Sequence, residues 1–423
     1  LHEQERAVLL RGAKLEVSYN GTDGEYVGFY GAMAFVFNRK EFIKIGGMDE
    51  TIFGWGKEDI EFERRVRSLK YEISITDEDG IHLWHPVKPP TITLNDQYLK
   101  GKDLAVVTCH FNWANFTTPV RNLNRFINQM AIEGVPLYGI ELSLTDKFET
   151  EGLKNWRQIK VTKENVCFQK EAAINILEKT IPKQFTKIAW IDHDLLFSNR
   201  NWYTETSKKL EEYKVLQLFS NYASTTKTGK IVKIIPSIMA AGGPGGSNKT
   251  NGAHAGQPGG AWAARREMWR HGGLYSLPLM GGGDTAFIYS IFNMLTDEKV
   301  LQSIGLKDGV NFKPFAKWRK KLVKYVNESV SYVPGPIVHE WHGDMNKRNY
   351  GRRYELMEQI NFNKSVRLDK RGLVKITNVE PSFYNGMMKY FIDRAEDGND
   401  VILAKKAVYK EAIKHFTAKD TSI

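Results

Sequence analysis

One short pattern occurs twice in this 423-residue chain and restricts what it can fold into. Residues 81–85 read Ile-His-Leu-Trp-His, and residues 338–342 read Val-His-Glu-Trp-His. Each copy follows a block with the same order, over residues 31–59 and 260–284: a strand of small residues, an Arg-Glu helix, a Gly-Gly turn and an acid near glycines. Repeats this far apart indicate duplicated domains, because the units of a solenoid are far shorter. The sequence therefore predicts two related modules.

The length of the chain suggests how it is divided. At roughly 150 residues per domain, we expect two or three domains. We predict a first module over residues 1–100, with a short amphipathic helix within residues 1–30. A second, complete module follows over residues 101–365, and a C-terminal helical extension covers residues 366–423. No stretch approaches the roughly 18 uninterrupted apolar residues of a membrane span, so we predict none.

Charge and cysteine content limit the partners and the compartment. The formal net charge of +11 favours anionic partners, such as nucleotide diphosphates, acidic glycans or nucleic acid. The cluster Lys-Trp-Arg-Lys-Lys at residues 317–321 is the short basic and aromatic candidate for a nucleic-acid contact. Cys109 and Cys167 cannot build a disulfide framework and suit a reducing compartment. We therefore predict a cytoplasmic protein, and the charge leaves the class of partner open.

Strand and helix patterns alternate in the second module. Residues 104–108, 136–141 and 187–191 are short apolar runs typical of buried strands, and helical patterns lie at 117–133 and 168–180. This alternation predicts an α/β fold with a parallel sheet. In such sheets, ligands bind beyond the carboxyl ends of the strands. We therefore expect the functional site where these strands end.

Acidic and histidine side chains stand at two of the predicted strand ends. Asp192 and Asp194 directly follow the strand at 187–191, and two carboxylates so placed can hold a hard divalent cation such as Mg²⁺ or Mn²⁺. His339 and His342 end another apolar run, and imidazole suits Mn²⁺ as well as Zn²⁺. We predict all four as metal ligands. The alternative for the histidines is a structural role beside a tryptophan.

A glycine-flanked acid in each module is the candidate general base. Asp284 lies among the glycines of residues 281–285, and Asp59 follows a Gly-Trp-Gly segment. Glycines let a substrate approach the backbone, and an acid there can remove a proton from an attacking hydroxyl. The alternative is helix N-capping, since both acids precede helical patterns. The glycine-rich residues 241–260 are predicted to form a loop over this active site.

Residues 45–65 carry a family resemblance. They read Ile-Gly-Gly-Met-Asp-Glu-Thr-Ile-Phe-Gly-Trp-Gly-Lys-Glu-Asp-Ile-Glu-Phe-Glu-Arg-Arg. This segment resembles the acceptor-side motif of GT-A glycosyltransferases, and is similar to the Gly-Trp-Gly-Gly-Glu-Asp segment of β-1,4-galactosyltransferases, polypeptide GalNAc-transferases and chondroitin polymerases. Residues 103–360 resemble a more divergent, family-2-like GT-A transferase. The resemblance implies tandem Rossmann-like GT-A modules that use Mn²⁺ or Mg²⁺ to move a sugar from a nucleotide-sugar, above all a UDP-sugar, to a glycan hydroxyl. In-line attack with a protein base predicts inversion, and retention stays open because GT-A folds host both outcomes.

The same resemblance implies roles for individual residues. Residues 192–194 match the metal-binding Asp-x-Asp, and residues 339–342 match a later metal-ligand segment. The basic residues 343–354 resemble a segment that closes over the donor diphosphate. The implied nucleotide and donor contacts are Thr108, His110, Asn112, Glu141, Gln169, Lys170, Asp192, Lys347 and Arg348. Because residues 281–285 depart from the usual Trp-Gly-Gly-Glu-Asp, the acceptor stays unassigned.

The first module has no room for a donor-binding half. Only 30 residues precede Gly31, whereas a GT-A module resembling this family needs its nucleotide site before the Gly-Trp-Gly motif. We therefore expect an acceptor-side half of a truncated module. The alternative is that this half is a degenerate accessory piece.

Other function classes remain open from the sequence. One is a transferase that acts on hydroxylated or hypermodified DNA, which the basic charge permits. Another is a non-catalytic scaffold that binds glycans or nucleic acid. A zinc hydrolase fits poorly, because the paired histidines lack the helical glutamate of the His-Glu-x-x-His pattern.

Overall fold

The computed structural model describes residues 102–244, 256–292, 294, 309–349 and 353–398, together with three short strands near the N-terminus. The chain divides into two compact units, Leu1–Lys88 and Pro89–Ile423. The division falls a little before the boundary predicted at residue 100. Among the helices of the described residues, none is both long and apolar enough to cross a membrane.

The first unit contains a three-stranded sheet. Strand β1 (Ala7–Leu10) lies at its centre, antiparallel to β2 (Ala34–Val36) and parallel to β3 (Ile73–Ile75). The amphipathic helix predicted within residues 1–30 is therefore wrong over Ala7–Leu10. A short apolar run such as Ala-Val-Leu-Leu fits a buried strand as well as a helix, and periodicity cannot separate the two. Asp59 and the first histidine pair lie outside the described residues.

The second unit is built on a seven-stranded sheet and a four-stranded sheet. Its strands are β4 (Leu104–Phe111), β5 (Leu137–Ser143), β6 (Trp156–Lys160), β7 (Lys187–Ile191), β8 (Leu195–Phe197), β9 (Val215–Gln217), β10 (Asn221–Thr225), β11 (Ile231–Pro236), β12 (Ala261–Arg265), β13 (Val330–Tyr332), β14 (Pro336–His339), β15 (Val366–Leu368) and β16 (Val374–Ile376). Its helices are α1 (Thr117–Ile132), α2 (Lys170–Glu178), α3 (Trp202–Lys209), α4 (Gly283–Ile291), α5 (Gly309–Val326), α6 (Phe362–Ser365) and α7 (Pro381–Asp393).

The seven-stranded sheet has the order β13-β9-β12-β7-β4-β5-β6. Strands β7, β4, β5 and β6 run parallel, and β12 is antiparallel to both β7 and β9. The central parallel strands β4 and β7 are buried almost throughout because helices cover both faces, as is usual for parallel sheets, whereas the edge strand β6 is largely polar. The α/β class predicted from the sequence is confirmed.

Two apolar clusters pack on the two faces of this sheet. One lies against α1 and α3, with Phe126 and Trp202 fully buried. The other joins the opposite face to α2, α4, α5 and α7, with Phe287 and Phe383 among its members. Together these clusters hold the carboxyl ends of β4 and β7 at one edge, where the polar side chains of the candidate site are found.

The four-stranded sheet, of order β11-β10-β14-β8, brings distant residues together. Strand β8 begins immediately after Asp194, and β14 ends at His339. These two strands pair antiparallel with His339 opposite Leu195. The register therefore sets His339 beside Asp194, although the two are far apart along the chain.

Residues 366–398, predicted as part of a helical extension, share the core of the second unit. They form the pair β15–β16 and helix α7, and Val374, Phe383 and Phe391 are buried in the same cluster as α2 and α4. The division into units places no boundary at residue 365.

Candidate metal and transfer site

Three predicted metal ligands converge at the edge of the sheets. Nε2 of His342 lies 2.8 Å from Oδ2 of Asp194, and Nε2 of His339 lies 3.5 Å from the same oxygen. The two Nε2 atoms are 3.2 Å apart. Among the described residues, these three side chains form the group whose ligand atoms all lie within 4.8 Å of one another.

This donor set fits a divalent cation. Two ligand atoms that each lie about 2.1 Å from one ion are roughly 3 Å apart, which is close to the separations seen here. A carboxylate oxygen and two imidazole nitrogens form a mixed set that suits Mn²⁺. A histidine ligand also needs a fixed ring orientation. The ring of His339 has one, because it stacks on Tyr222 at a centroid distance of 5.2 Å.

The electrostatics of the group favour the forms that bind metals. Burial alone would raise the pKa of Asp194, but contacts with His339 and His342 outweigh it and hold that pKa well below its usual value. Burial lowers the pKa of His339, and Asp194 opposes this shift only in part. An ionised carboxylate and a neutral imidazole are the protonation states that a metal ligand requires.

Asp192, the fourth predicted ligand, belongs to a different cluster. The Nζ of Lys170 donates to Oδ1 of Asp192 at 3.1 Å and to Oδ2 of Asp284 at 2.6 Å. Burial raises the pKa of Asp192 to about 7, with Asp284 and Asp194 adding to the shift and Lys170 opposing it. The structure does not bring the Asp192 carboxylate into the group around Asp194.

Asp284, the predicted base, lies in the first turn of α4. The N-cap of this helix is Gly282 and the cap has no side-chain hydrogen bond, so the carboxylate of Asp284 is not a capping group. It bonds to Lys170 instead. A Cβ atom on Gly259 would lie 2.6 Å from Oδ2 of Asp284, so this end of the glycine-rich segment passes close to the carboxylate because it lacks a side chain.

Both clusters line one cavity of about 320 Å³. Its wall includes the metal-type group of Asp194 and both histidines on one side, and Lys170 and Asp284 on the other. Glycines at 259–260 and 281–283 form much of the remaining surface. A metal-type site and a candidate base therefore face a common space.

The predicted nucleotide contacts on β4 are placed differently from one another. Asn112 lines the cavity, and its side chain is bonded to the backbone of Phe116. Thr108 is buried and donates to the carbonyl of Ile191 at 2.8 Å. The Nδ1 of His110 lies 3.1 Å from Nε2 of His193, and burial lowers the pKa of His110 well below its usual value. Thr108 and His110 thus contact residues at and just after the end of β7, and neither lines the cavity.

Glu141 and Gln169 do not line the cavity. The carboxylate of Glu141 accepts bonds from the backbone of Glu149 and from the backbone and hydroxyl of Thr150. Gln169 donates to the carbonyl of Val374 at 2.8 Å and accepts from its N–H at 3.0 Å, fixing β16 against α2. The structure gives both residues internal contacts, and their nucleotide roles stay predictions.

The two basic residues of the predicted diphosphate segment differ in burial and in their position relative to the cavity. Lys347 is exposed and does not line the cavity. Arg348 is buried against it, and its Nη2 lies 2.8 Å from Nε2 of His342. Only Arg348 therefore stands next to the metal-type group.

Three cavity residues escaped the sequence analysis. Glu171 lies in α2 beside Lys170, and burial raises its pKa to about 7. Arg394 and Glu396 come from the segment that follows α7, and Oε1 of Glu396 is 3.2 Å from Nδ1 of His342. The only sequence signal was a short charged run after an apolar helix, which is ordinarily a solvated end.

Gly343 lets the segment after α7 approach the histidine pair. It has a φ of +86°, and a Cβ atom there would lie 2.9 Å from the carbonyl oxygen of Arg394 and 3.0 Å from that of Ala395. We expect Gly343→Ala to lower the free energy of unfolding by about 1–3 kcal/mol, through backbone strain and overpacking. Urea unfolding measures this. The matched control is Gly229→Ala, which has a φ of +84° but nothing within 4 Å. Equal losses in the two variants would show that the close approach does not constrain the fold.

Residues 11–86 match the family described as the N-terminal domain of galactosyltransferase. This match confirms the resemblance predicted from residues 45–65. The matched residues are less than a fifth of the chain and belong to the first unit, whereas the site described above lies in the second. No curated protein matches the sequence.

Several solved structures resemble the chain at low identity. The catalytic domain of Drosophila beta1,4galactosyltransferase 7, in complex with xylobiose, is 17% identical over 45% of this chain and 61% of its own, with a TM-score of 0.24. The chain thus spans less than two thirds of that domain. Glucosyl-3-phosphoglycerate synthase from Mycobacterium tuberculosis, in complex with Mg²⁺ and UDP, is 13% identical over 65% and 83%, with a TM-score of 0.32.

Proposed function

We propose that the second unit is a GT-A-type glycosyltransferase that moves a sugar from a nucleotide-sugar, above all a UDP-sugar, to a hydroxyl of a glycan, with inversion. The observation that carries the proposal is the placing of the Asp194, His339 and His342 group and the Asp284 carboxylate around one cavity. The family match in the first unit supports the same reaction class.

The metal-type group would hold the cation that this chemistry uses. Asp194, His339 and His342 are the residues that would bind Mn²⁺ or Mg²⁺. The bound ion would neutralise the negative charge that develops on the departing nucleoside diphosphate. Arg348, which also lines the cavity, adds a positive charge toward that leaving group.

Asp284 is the residue proposed to act on the acceptor. Its carboxylate takes the proton of the acceptor hydroxyl as that oxygen bonds to the anomeric carbon of the sugar. The bond from this carbon to the diphosphate oxygen breaks, and its electron pair leaves with the diphosphate. Lys170 holds the carboxylate in place through its 2.6 Å hydrogen bond. Attack on the face opposite the diphosphate inverts the anomeric centre.

The described contacts weaken the DNA alternative. Besides the basic net charge, its sequence support was an aromatic residue among the basic residues 317–321. Trp318 is buried, however, and its indole N–H donates to the carbonyl of Gly273 at 3.0 Å. A buried ring cannot stack on a nucleic-acid base, and the remaining lysines are those of an ordinary helix face.

A donor panel tests the proposal. UDP-, GDP- and CMP-sugars are incubated with the full chain in Mn²⁺ or in EDTA, and release of the nucleoside diphosphate or monophosphate is measured. We expect cleavage of one donor class, with EDTA abolishing it. No cleavage of any donor, together with no metal-dependent nucleotide binding, would favour the non-catalytic scaffold instead.

Arg348 and a divalent cation compete for the same nitrogen. A guanidinium and a divalent cation about 4 Å apart repel by about 8 kcal/mol at an effective dielectric of 20, and a movable side chain relieves most of this. We therefore expect Arg348→Ala to tighten Mn²⁺ binding about tenfold in the absence of nucleotide, which corresponds to about 1.4 kcal/mol. Isothermal titration measures the Kd.

Lys347→Ala is the matched control for this variant, because it removes the same charge from an exposed neighbour. We expect its Mn²⁺ Kd to equal that of the unmodified chain, and UDP binding to weaken in Arg348→Ala. Unchanged or weaker Mn²⁺ binding in Arg348→Ala would show that the guanidinium does not oppose the ion.

A further inference from the structure

We infer that Glu396 is a positioning residue that fixes the orientation and the tautomer of the metal ligand His342. This inference rests on the metal site of the proposed function. Glu396 belongs to residues 394–397, here called the post-helix segment, which follows α7. The segment lies 54 residues after His342 in the chain, and the fold brings it back onto the histidine.

Glu396 is in direct contact with the ring of His342. Its Oε1 lies 3.2 Å from Nδ1 of His342, and both side chains are largely buried. The same oxygen accepts from Nε of Arg394 at 2.8 Å. The Glu396 carboxylate therefore contacts both the guanidinium of Arg394 and the imidazole of His342.

The tautomer of His342 follows from its contact with Glu396. A carboxylate can only accept a hydrogen bond, so Nδ1 of His342, 3.2 Å from Oε1 of Glu396, carries the proton that it donates. In the neutral ring this leaves the lone pair on Nε2, the atom that lies 2.8 Å from both Oδ2 of Asp194 and Nη2 of Arg348. Nε2 is therefore the atom that would bind a cation. An outer carboxylate on the second nitrogen is the usual way to orient a histidine ligand.

The post-helix segment is anchored independently of His342. The carboxylate of Asp397 accepts from the backbone N–H of Thr117 at 3.0 Å and of Thr118 at 2.7 Å, at the start of α1. The guanidinium of Arg394 lies 5.5 Å from the ring centroid of Phe168. These contacts fix the position of Glu396 without any contribution from His342.

Loss of Glu396 should therefore weaken the metal site without removing a ligand. Replacing the outer partner of a metal-bound histidine typically costs 10–100-fold in metal affinity. We expect Glu396→Ala to raise the Mn²⁺ Kd of the full chain within that range, measured by titration without nucleotide. Glu396→Gln keeps an oxygen that can accept from Nδ1, so its Kd should lie between those of the unmodified chain and Glu396→Ala.

The matched control is Asp393→Ala, which removes an acid three residues away whose carboxylate pairs with Lys389 on the exposed side of α7. Its Mn²⁺ Kd should not change. Thermal unfolding of each variant shows whether the fold is kept. If Glu396→Ala does not fold, the Mn²⁺ Kd of Glu396→Gln is compared with that of Asp393→Ala to test the inference. Mn²⁺ binding by folded Glu396 variants equal to that of the control would overturn the inference.

A double-mutant cycle separates this inference from the proposed function. If Glu396 acts through His342, adding Glu396→Ala to a His342→Ala chain should change the Mn²⁺ Kd no further. An equal loss in both backgrounds would show that Glu396 acts elsewhere. If His342→Ala itself leaves Mn²⁺ binding intact, the metal site of the proposed function fails. If His342→Ala weakens binding and Glu396→Ala does not, only the role of Glu396 fails.

Discussion

Replacing Asp194 with alanine is expected to abolish detectable Mn²⁺ binding and to lower donor turnover roughly a thousandfold. Asp194 supplies the anionic ligand of the group, and its oxygen is the atom that both histidines approach. Loss of a metal that stabilises the leaving diphosphate costs several kcal/mol, and about 4 kcal/mol corresponds to that factor. Titration with Mn²⁺ and the turnover of the donor found in the panel measure the two effects.

Asp192→Ala is the sharpest comparison for this variant. The two acids are two residues apart, but Asp192 bonds to Lys170 and lies outside the group around Asp194. We therefore expect the Asp192 variant to retain Mn²⁺ binding. Equal loss in both variants would restore the simpler view in which the whole Asp-x-Asp binds the ion. Intact binding in Asp194→Ala would rule out the metal site described here.

Asp284→Asn is expected to lower kcat by about 10²–10⁴-fold, the range associated with general base catalysis. The amide keeps an oxygen that can accept from Lys170 but cannot take the acceptor proton. Because Asp284 lies outside the metal-type group, the Mn²⁺ Kd should stay unchanged. Steady-state transfer kinetics and Mn²⁺ titration measure the two quantities.

The control for Asp284→Asn is Asp146→Asn, the same chemical change at an exposed acid paired with Lys160. Its kcat should equal that of the unmodified chain. If kcat also survives in Asp284→Asn, Asp284 only anchors Lys170, and a different group must accept the proton. Glu171, which lines the same cavity, is then the next residue to replace.

Local patterns predicted the strands well, because buried parallel strands are short apolar runs. The run that ends at Ile191 is β7, with Asp192 directly after it as expected. The sequence also indicated that residues 339 and 342 belong with Asp194. What joins them is the β14–β8 register, which depends on pairing between distant strands and has no local signature.

The contacts that the sequence did not predict have a common physical cause. A carboxylate or amide side chain can bond to a ligand or to the protein's own backbone, and residue type does not distinguish the two. Glu141 and Gln169 bond to backbone groups for this reason. Glu396 was missed because its contact with His342 arises only when α7 packs against the sheet.

Helix α7 and the strands before it limit how this chain can be recombined with others. Residues 366–398 contribute apolar side chains to the core and, through Asp397, an acceptor for the start of α1. A chimera that took residues 102–365 from one enzyme and the tail from another would need matched surfaces at all these contacts. The tail therefore has to be exchanged together with the core that it packs against and with the histidine that Glu396 contacts.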